Sequence, residues 1–512
     1  MTQVASNTRT ALRRAATPSA VLALVLLLSF ALRIAAITTN PPELFEDELA
    51  PAASAWSIVT TGYDVAATHL PFFVTRLDLR APAYGYSTVP FQALLGHTIL
   101  AVRLPAVLFG VAATFLVAWL VRVLGRRPWE GVVAAFVFAV TPWAVHYGRI
   151  GWEPASTLPF TIGGVGLLWD GLARRRPRRV AAAAVILALG AYTYTPALLA
   201  NVLLAGVTVL IMAARLRRRD LAGLAAGAVG ALVVLAPYLL AFSDPLFTKR
   251  TAGVSVFRNG VTLDAVSTAW NHYWAQWDPT FLFLRGTANL RNEPGMGVLL
   301  LVLLPPLIVG VAALLARRRA ADLLLLGWLA VGPVAAALTD DGVPHFARGI
   351  FALPAVVLVV ARGAMAAWDW LRIHRDPVVR PIAAGLAALL VVIQLGGTYD
   401  AYFGRYPAAS ASAWRVGTAA AMTMVRDGVP AGGTACLDTA ALSYWTFPQF
   451  VAWFLPQPAF TVVEGVSDAR CSVAGAYLFG HQSAKVPATA LLVASSPGAD
   501  AGSVFLLWTI PG

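Results

Sequence analysis

Apolar residues run along this chain in blocks of about 20, each long enough to cross the hydrocarbon layer of a bilayer as a helix. The first block covers 20–37 and is interrupted only by Arg33. Ten more follow at 104–123, 129–147, 156–173, 180–196, 197–214, 221–242, 296–316, 321–338, 347–368 and 381–397, which predicts eleven transmembrane helices. Arginine clusters at Arg126 and Arg127, 174–179, 215–219, 317–319 and 372–380 separate pairs of blocks, as successive hairpins through a membrane require. Basic residues gather on the cytoplasmic side, so the N-terminus, with Arg9, Arg13 and Arg14, is expected in the cytoplasm. No small-residue cleavage site precedes Pro41, so the first block is expected to stay attached. Residues 81–101 are also fairly apolar, but counting them as a span would turn every arginine cluster outward. Pro82, Pro90 and Gly96 also break that stretch, which predicts a helix lying in the membrane interface and a first outer loop over about 38–103.

Beyond the last block the pattern changes. Residues 398–512 hold six acids and five bases, and short β-like runs at 434–438, 460–463, 490–494 and 504–509 alternate with a helical pattern over 442–454. This predicts a transmembrane domain over 1–397 and a small α/β or α+β domain over 398–512. The odd number of spans puts that second domain outside the cytoplasm, in an oxidising compartment. The chain's two cysteines, Cys436 and Cys471, fall there, and an isolated pair in that setting is expected to form a disulfide.

Composition agrees with the pattern. With 58% hydrophobic residues, 12% charged and a mean hydropathy of +0.71, the chain could not cover its apolar surface in water. A net charge of +13 would suggest nucleic acid in a soluble protein, but here the bases sit between spans and report topology. There is no phosphate-binding Walker loop and no dinucleotide fingerprint; the glycines at 163, 164 and 166 fall inside a span and are expected to pack helices.

The outer loops carry the candidate chemistry. Six carboxylates crowd the first (Glu43, Glu46, Asp47, Glu48, Asp64 and Asp78), three of them consecutive. Adjacent acids disfavour each other's ionisation, so one is expected to titrate near neutrality and accept a proton; together they could instead hold a divalent cation. The second outer loop offers His146, Arg149 and Glu153, either a helix-surface ion pair or an arginine for phosphate with an acid for a sugar hydroxyl. The long loop over 243–295 brings Lys249 and Arg250 and the aromatic run 271–279, suited to the interface belt or to sugar stacking. The last contributes Asp340, Asp341, His345 and Arg348. Cations from three loops thus face the same side of the membrane, where an anionic lipid head group would meet them. No histidines stand at metal-ligand spacing.

The run Pro41-Pro42-Glu43-Leu44-Phe45-Glu46-Asp47-Glu48, followed by Thr61-Gly62-Tyr63-Asp64 and Leu70-Pro71, resembles the first-loop signature of the GT-C glycosyltransferases, in the family-39 branch of protein O-mannosyltransferases and lipid A aminoarabinose transferases. Phe91 to Gly96 with Val102-Arg103-Leu104-Pro105, Thr141-Pro142-Trp143 with Arg149 and Glu153, Pro279 with Phe281-Leu282-Phe283 and Asn289, and Pro344-His345 with Arg348 are similar to bacterial members in the same order. The likeness covers roughly 20–400. It implies a GT-C-like multi-pass enzyme of the plasma membrane that takes a sugar from a polyprenyl-phosphate donor and passes it, with inversion, to a hydroxyl of a glycan, lipid or protein. It places an acid of the first loop at the reaction centre, here Asp47 with Glu48 as its neighbour. Asp64, Arg149, Glu153, Lys249, Arg250, His345 and Arg348 become substrate-binding candidates, with Glu153 standing where the family has an aspartate. The competing expectation is a transporter or flippase of polyprenyl-linked glycans. That reading calls for ionisable or broken-helix features at mid-membrane, whereas these spans are mostly Ala, Leu, Val and Gly. A scaffold binding cell-wall polymer would leave the acidic loop dispensable.

Overall fold

The computed structural model describes residues 17–69, 80–243, 245, 252–287, 289–291, 294–374, 376–438, 447–481, 486–498 and 503–511. The chain divides into two compact units: 1–35 with 106–401, and 36–105 with 402–512. The second boundary falls four residues from the expected 397/398 division, but the first outer loop groups with the C-terminal segment instead of with the spans.

All eleven expected stretches of the first unit carry helix, and among the described residues six helices are long and apolar enough to cross a membrane by length and composition. Several are shorter than their apolar runs, and proline is the reason. The run 129–147 splits into Pro128–Val140 and Pro142–Tyr147, because Pro142 cannot donate to the preceding turn. Pro333 likewise divides 321–338 into Ala320–Val331 and Val334–Ala337. The helix Leu353–His374 forms the centre, with 353–363 buried throughout. It meets Leu304–Arg317 where glycines allow backbones to touch: a Cβ on Gly363 would land on the Pro306 carbonyl, and one on Gly310 on that of Val359. Neither backbone can yield as a side chain can. Gly363→Ala should therefore destabilise the bundle by at least about 1–3 kcal/mol, seen as a lower melting temperature of detergent-solubilised protein; unchanged melting would contradict this packing. Gly164 and Gly166 meet the side chains of Leu187 and Trp119, so they too pack helices.

Ion pairs close the arginine-rich ends. Arg126 reaches Glu130 at 3.1 Å and Asp322 at 2.5 Å, and Glu130 also meets Arg362 at 3.5 Å, joining three helices. At the other end of the first helix, Pro18–Ile34, Arg33 is fully buried between Gly110 and Gly148 and donates to the carbonyls of Ser29, Ala139 and Ala144. A Cβ on either glycine would collide with its guanidinium.

The second unit is built on a five-stranded mixed sheet: β1 (Thr434–Leu437), β2 (Thr461–Glu464), β3 (Ala476–His481), β4 (Leu491–Pro497) and β5 (Val504–Thr509), in the order β2-β1-β3-β5-β4. β1 runs parallel to β2 and β3, and β5 antiparallel to β3 and β4. Four strands match the expected runs. β3 was not expected, nor the helix Thr418–Gly428. A disulfide joins Cys436 in β1 to Cys471, with Cα atoms 5.9 Å apart. Two helices of the first loop complete this unit, Glu46–Thr61 and Pro82–Leu95. The second ends at Gly96, whose φ of +72° suits only glycine, so 81–101 forms no continuous span. Leu44, Leu49, Ala52, Ala53 and Val102 share one core with Met422, Val425, Phe450, Leu507 and other residues of the C-terminal segment.

Candidate active site

The acidic run lies at the start of Glu46–Thr61, and its four carboxylates have four different surroundings. Glu43 accepts hydrogen bonds from the backbone N–H groups of Gly417 (2.8 Å) and Ala419 (3.3 Å), at the first turn of Thr418–Gly428. Glu46 is buried and lies 3.6 Å from the Arg415 Nε. Glu48 has no exposed surface; both its oxygens accept from Arg103, at 2.9 and 2.8 Å. Arg103 also donates to the carbonyls of Ile37 (2.9 Å), Pro41 (2.6 Å) and Glu43 (2.7 Å), so its guanidinium gathers the whole turn before the helix. Asp47 differs: its side chain retains 23% exposure and its carboxylate meets Arg80 at 2.5 Å. Among these four acids it is the one with appreciable access to a substrate that also carries a cation against it.

Asp64 is buried, and its Oδ1 accepts from the N–H groups of Ala66 and Thr68, which makes it the organiser of a tight turn. Asp78 lies outside the described residues. Arg80 was missed by the sequence reading, although its place immediately before an apolar helix could have flagged it.

A second group of candidates belongs to the first unit. Arg348 grips the Asp341 carboxylate through both terminal nitrogens, one bond measuring 2.6 Å, and also meets the Tyr194 hydroxyl. His345 is almost fully buried; its N–H donates to the Gln276 side chain at 3.2 Å, while its Nδ1 accepts from the Arg348 N–H at 3.3 Å. Burial, and secondarily the Arg348 charge, lower the His345 pKa to about 3. The ring is therefore neutral, and with Nδ1 accepting, Nε2 carries the proton and is available as a donor. Tyr194 is buried and offers its hydroxyl to Arg348. Its signal in sequence was only the polar interruption Tyr192-Thr193-Tyr194-Thr195 between two apolar runs. Arg149, fully buried, donates to the carbonyls of Leu32 and Arg33 at the end of the first helix. Its guanidinium thus answers the negative end of that helix. Glu153 is buried in the short turn that follows. Lys249 and Arg250 lie outside the described residues. Trp143, Tyr147, Phe281 and Phe346 form an aromatic cluster in the same unit, Tyr147 stacked on Phe346 and Phe281 edge-on to Trp143 and Phe346. Trp270 and Trp274 of Leu263–Ala275 are exposed, as a belt helix requires. Among the described residues no group of three or more His, Cys, Asp or Glu is disposed to hold a metal ion.

In the second unit His97 sits between Trp56 and Trp453, with ring centroids 5.0 and 3.8 Å away, and its Nε2 is buried without a hydrogen-bond partner among the described residues. Burial lowers its pKa from 6.5 to about 4. The unfolded chain takes up this proton first, so the stability contributed by the neutral ring is present above pH 6.5 and is lost as the pH falls towards 4. Glu43, raised by burial, acts in the opposite sense, so the test must isolate the histidine. His97→Gln should lose less melting temperature between pH 7 and pH 5 than wild type; parallel curves would contradict the assignment.

Residues 80–240 match the dolichyl-phosphate-mannose-protein mannosyltransferase family. No curated protein matches the chain by sequence. Among solved structures the chain is similar to ArnT from Cupriavidus metallidurans bound to undecaprenyl phosphate, with a TM-score of 0.60 at 13% identity over 95% of this chain and 97% of that one. The same enzyme in its apo state gives 0.56 at 14% over the same shares. An oligosaccharyltransferase from Archaeoglobus fulgidus, tethered to an acceptor peptide, gives 0.51 at 15% over 88% of this chain and 64% of that one. Together with the apolar helices and the small sheet domain, these likenesses bear out the fold read from the sequence.

Proposed function

Proceeding from a multi-pass membrane protein with the GT-C glycosyltransferase fold, we propose that this chain transfers a sugar from a polyprenyl-phosphate donor to a hydroxyl acceptor on the outer side of the membrane, with inversion at the anomeric carbon. Asp47 accepts the proton of the attacking hydroxyl. The new bond forms between acceptor oxygen and anomeric carbon as the bond from that carbon to the phosphate oxygen breaks, and the electron pair leaves on the lipid phosphate. The charge on the departing phosphate is best stabilised by fixed cationic and N–H donors. Glu48 acts through Arg103 to hold the helix that carries Asp47.

One observation carries this reading. Within a run of four acids, Glu43, Glu46 and Glu48 are engaged by backbone or arginine, and Asp47 alone among them keeps appreciable exposure beside a cation. The undecaprenyl phosphate bound to one structural relative and the acceptor peptide tethered to another support a lipid-phosphate donor and a nucleophilic acceptor. A lipid-borne donor also explains why the spans are plain: they need only hold an isoprenoid tail. The arginine clusters support a cytoplasmic N-terminus, which leaves 402–512 outside. The test is transfer by purified protein from a panel of polyprenyl-phosphate pentoses and hexoses, wild type against Asp47→Asn. Hydroxyl acceptors of lipid, glycan and peptide type are to be offered in turn. Wild-type turnover with none of them would overturn the reading.

A further inference from the structure

The second unit joins two stretches, 36–105 and 402–512, that are nearly 300 residues apart in sequence, and they meet around the acidic run. Contacts of four kinds tie 40–48 to 402–419, and Arg103 adds a fifth to the same segment. The Asn40 side chain donates to the Tyr402 carbonyl at 2.8 Å. Glu43 accepts from the N–H groups of Gly417 and Ala419. Glu46 lies against Arg415. Phe45 meets the Trp414 ring edge-on at 4.9 Å, and the Arg103 guanidinium lies 5.7 Å from the same ring. Trp414 is itself fully buried, with its Nε1 donating to the Tyr406 hydroxyl at 2.8 Å. The 415–417 turn is shaped for this purpose: Arg415 has φ +53° and Gly417 +97°, and a non-glycine residue stays in that left-handed region only where its surroundings hold it there.

We propose that 414–419 is a clasp that positions Asp47 and that Arg415 is its principal positioning residue, so that the segment after the last span is a working part of the catalytic centre. The contacts bracket Asp47 on both sides: Glu46 before it faces the Arg415 charge at 3.6 Å, and Glu48 after it is held by Arg103, which itself rests on Trp414. A carboxylate acting as a base must be placed within a fraction of an ångström of its proton. Loosening the turn that precedes its helix therefore slows the chemical step without removing any group that binds the donor. Arg415 is the suitable handle, because its side chain is 24% exposed; since Arg415→Gln takes this cation away from the buried Glu46, the melting temperature of each variant is measured alongside.

This inference rests on Asp47 as the base, and the experiment separates the two claims. Full-length protein is prepared as wild type, Arg415→Gln and Arg415→Lys. Hydrogen–deuterium exchange over 43–55, which needs no activity, is expected to be at least threefold faster in Arg415→Gln and near wild type in Arg415→Lys. Steady-state transfer is expected to show kcat reduced tenfold or more in Arg415→Gln, KM for the donor within twofold, and recovery of most of kcat in Arg415→Lys. Unchanged exchange in Arg415→Gln overturns the clasp. Faster exchange with wild-type kcat overturns the positioning role. A rise in donor KM at constant kcat assigns Arg415 to binding and overturns it as well. Faster exchange in Arg415→Gln, with normal folding and no transfer even by wild type, would instead remove the glycosyltransferase reading and leave the clasp standing.

Discussion

Replacing Asp47 by Asn is expected to reduce sugar transfer about 10²–10⁴-fold, the range a positioned general base contributes, without changing folding. The amide has the same shape, so the N-terminal turn of Glu46–Thr61 persists. Arg80, itself 5% exposed, loses an anionic partner but keeps the amide oxygen as an acceptor in its place, so a modest loss of stability is expected beside the much larger loss of activity. Only the ability to take a proton is lost. The neighbours give the control: Glu48→Gln removes a charge that the structure engages fully with Arg103, so it should lower stability as well as activity. The decisive measurement is single-turnover transfer with bound donor, paired with the melting temperature of each variant. If Asp47→Asn transfers sugar at the wild-type rate with normal melting, the base lies elsewhere and the mechanism above is wrong.

The membrane portion was legible because its information is one-dimensional. A span announces itself by about 20 apolar residues. The proline breaks at Pro142 and Pro333 were equally visible, yet an apolar count passes over them. The order of motifs around Asp47, Arg149 and Arg348 pointed to the fold, and the comparisons agree. The grouping of the first loop with the C-terminal segment was hidden, since Glu43 and Gly417 are 374 residues apart and no local pattern links an acid to a distant N–H. For the same reason the four acids looked alike. Their differences come from partners supplied by tertiary structure: a helix start for Glu43, Arg415 for Glu46, Arg80 for Asp47 and Arg103 for Glu48. β3, with Gly480 near its end, lacks strong alternation, and the apolar face of Thr418–Gly428 is built mostly of small alanines that a sequence pattern does not distinguish from a loop.

Arg103→Met should be the most destabilising single change in the second unit. The wild-type guanidinium has no exposed surface, and all five of its N–H groups have acceptors: two on Glu48 and one each on Ile37, Pro41 and Glu43. Methionine fills similar volume, so the loss is electrostatic. It leaves the Glu48 carboxylate buried without its cation, which typically costs about 3–5 kcal/mol, and deprives three carbonyls of their donor. Against a total stability of about 5–15 kcal/mol, that is enough to expose 36–60 to protease. Lysine keeps the charge but offers one compact ammonium in place of a planar fork, so Arg103→Lys should fall between. The double variant Arg103→Met with Glu48→Met removes both charges and should recover part of the lost stability, as replacement of a buried ion pair by apolar groups commonly does. It should not recover full transfer, because the carbonyls of the turn before Asp47 still lack their donor. Limited proteolysis and melting of the four proteins in detergent distinguish these outcomes. An Arg103→Met protein that melts with wild type would mean that the turn before Asp47 is held by other contacts, and Arg103 would lose its role as the anchor of the site.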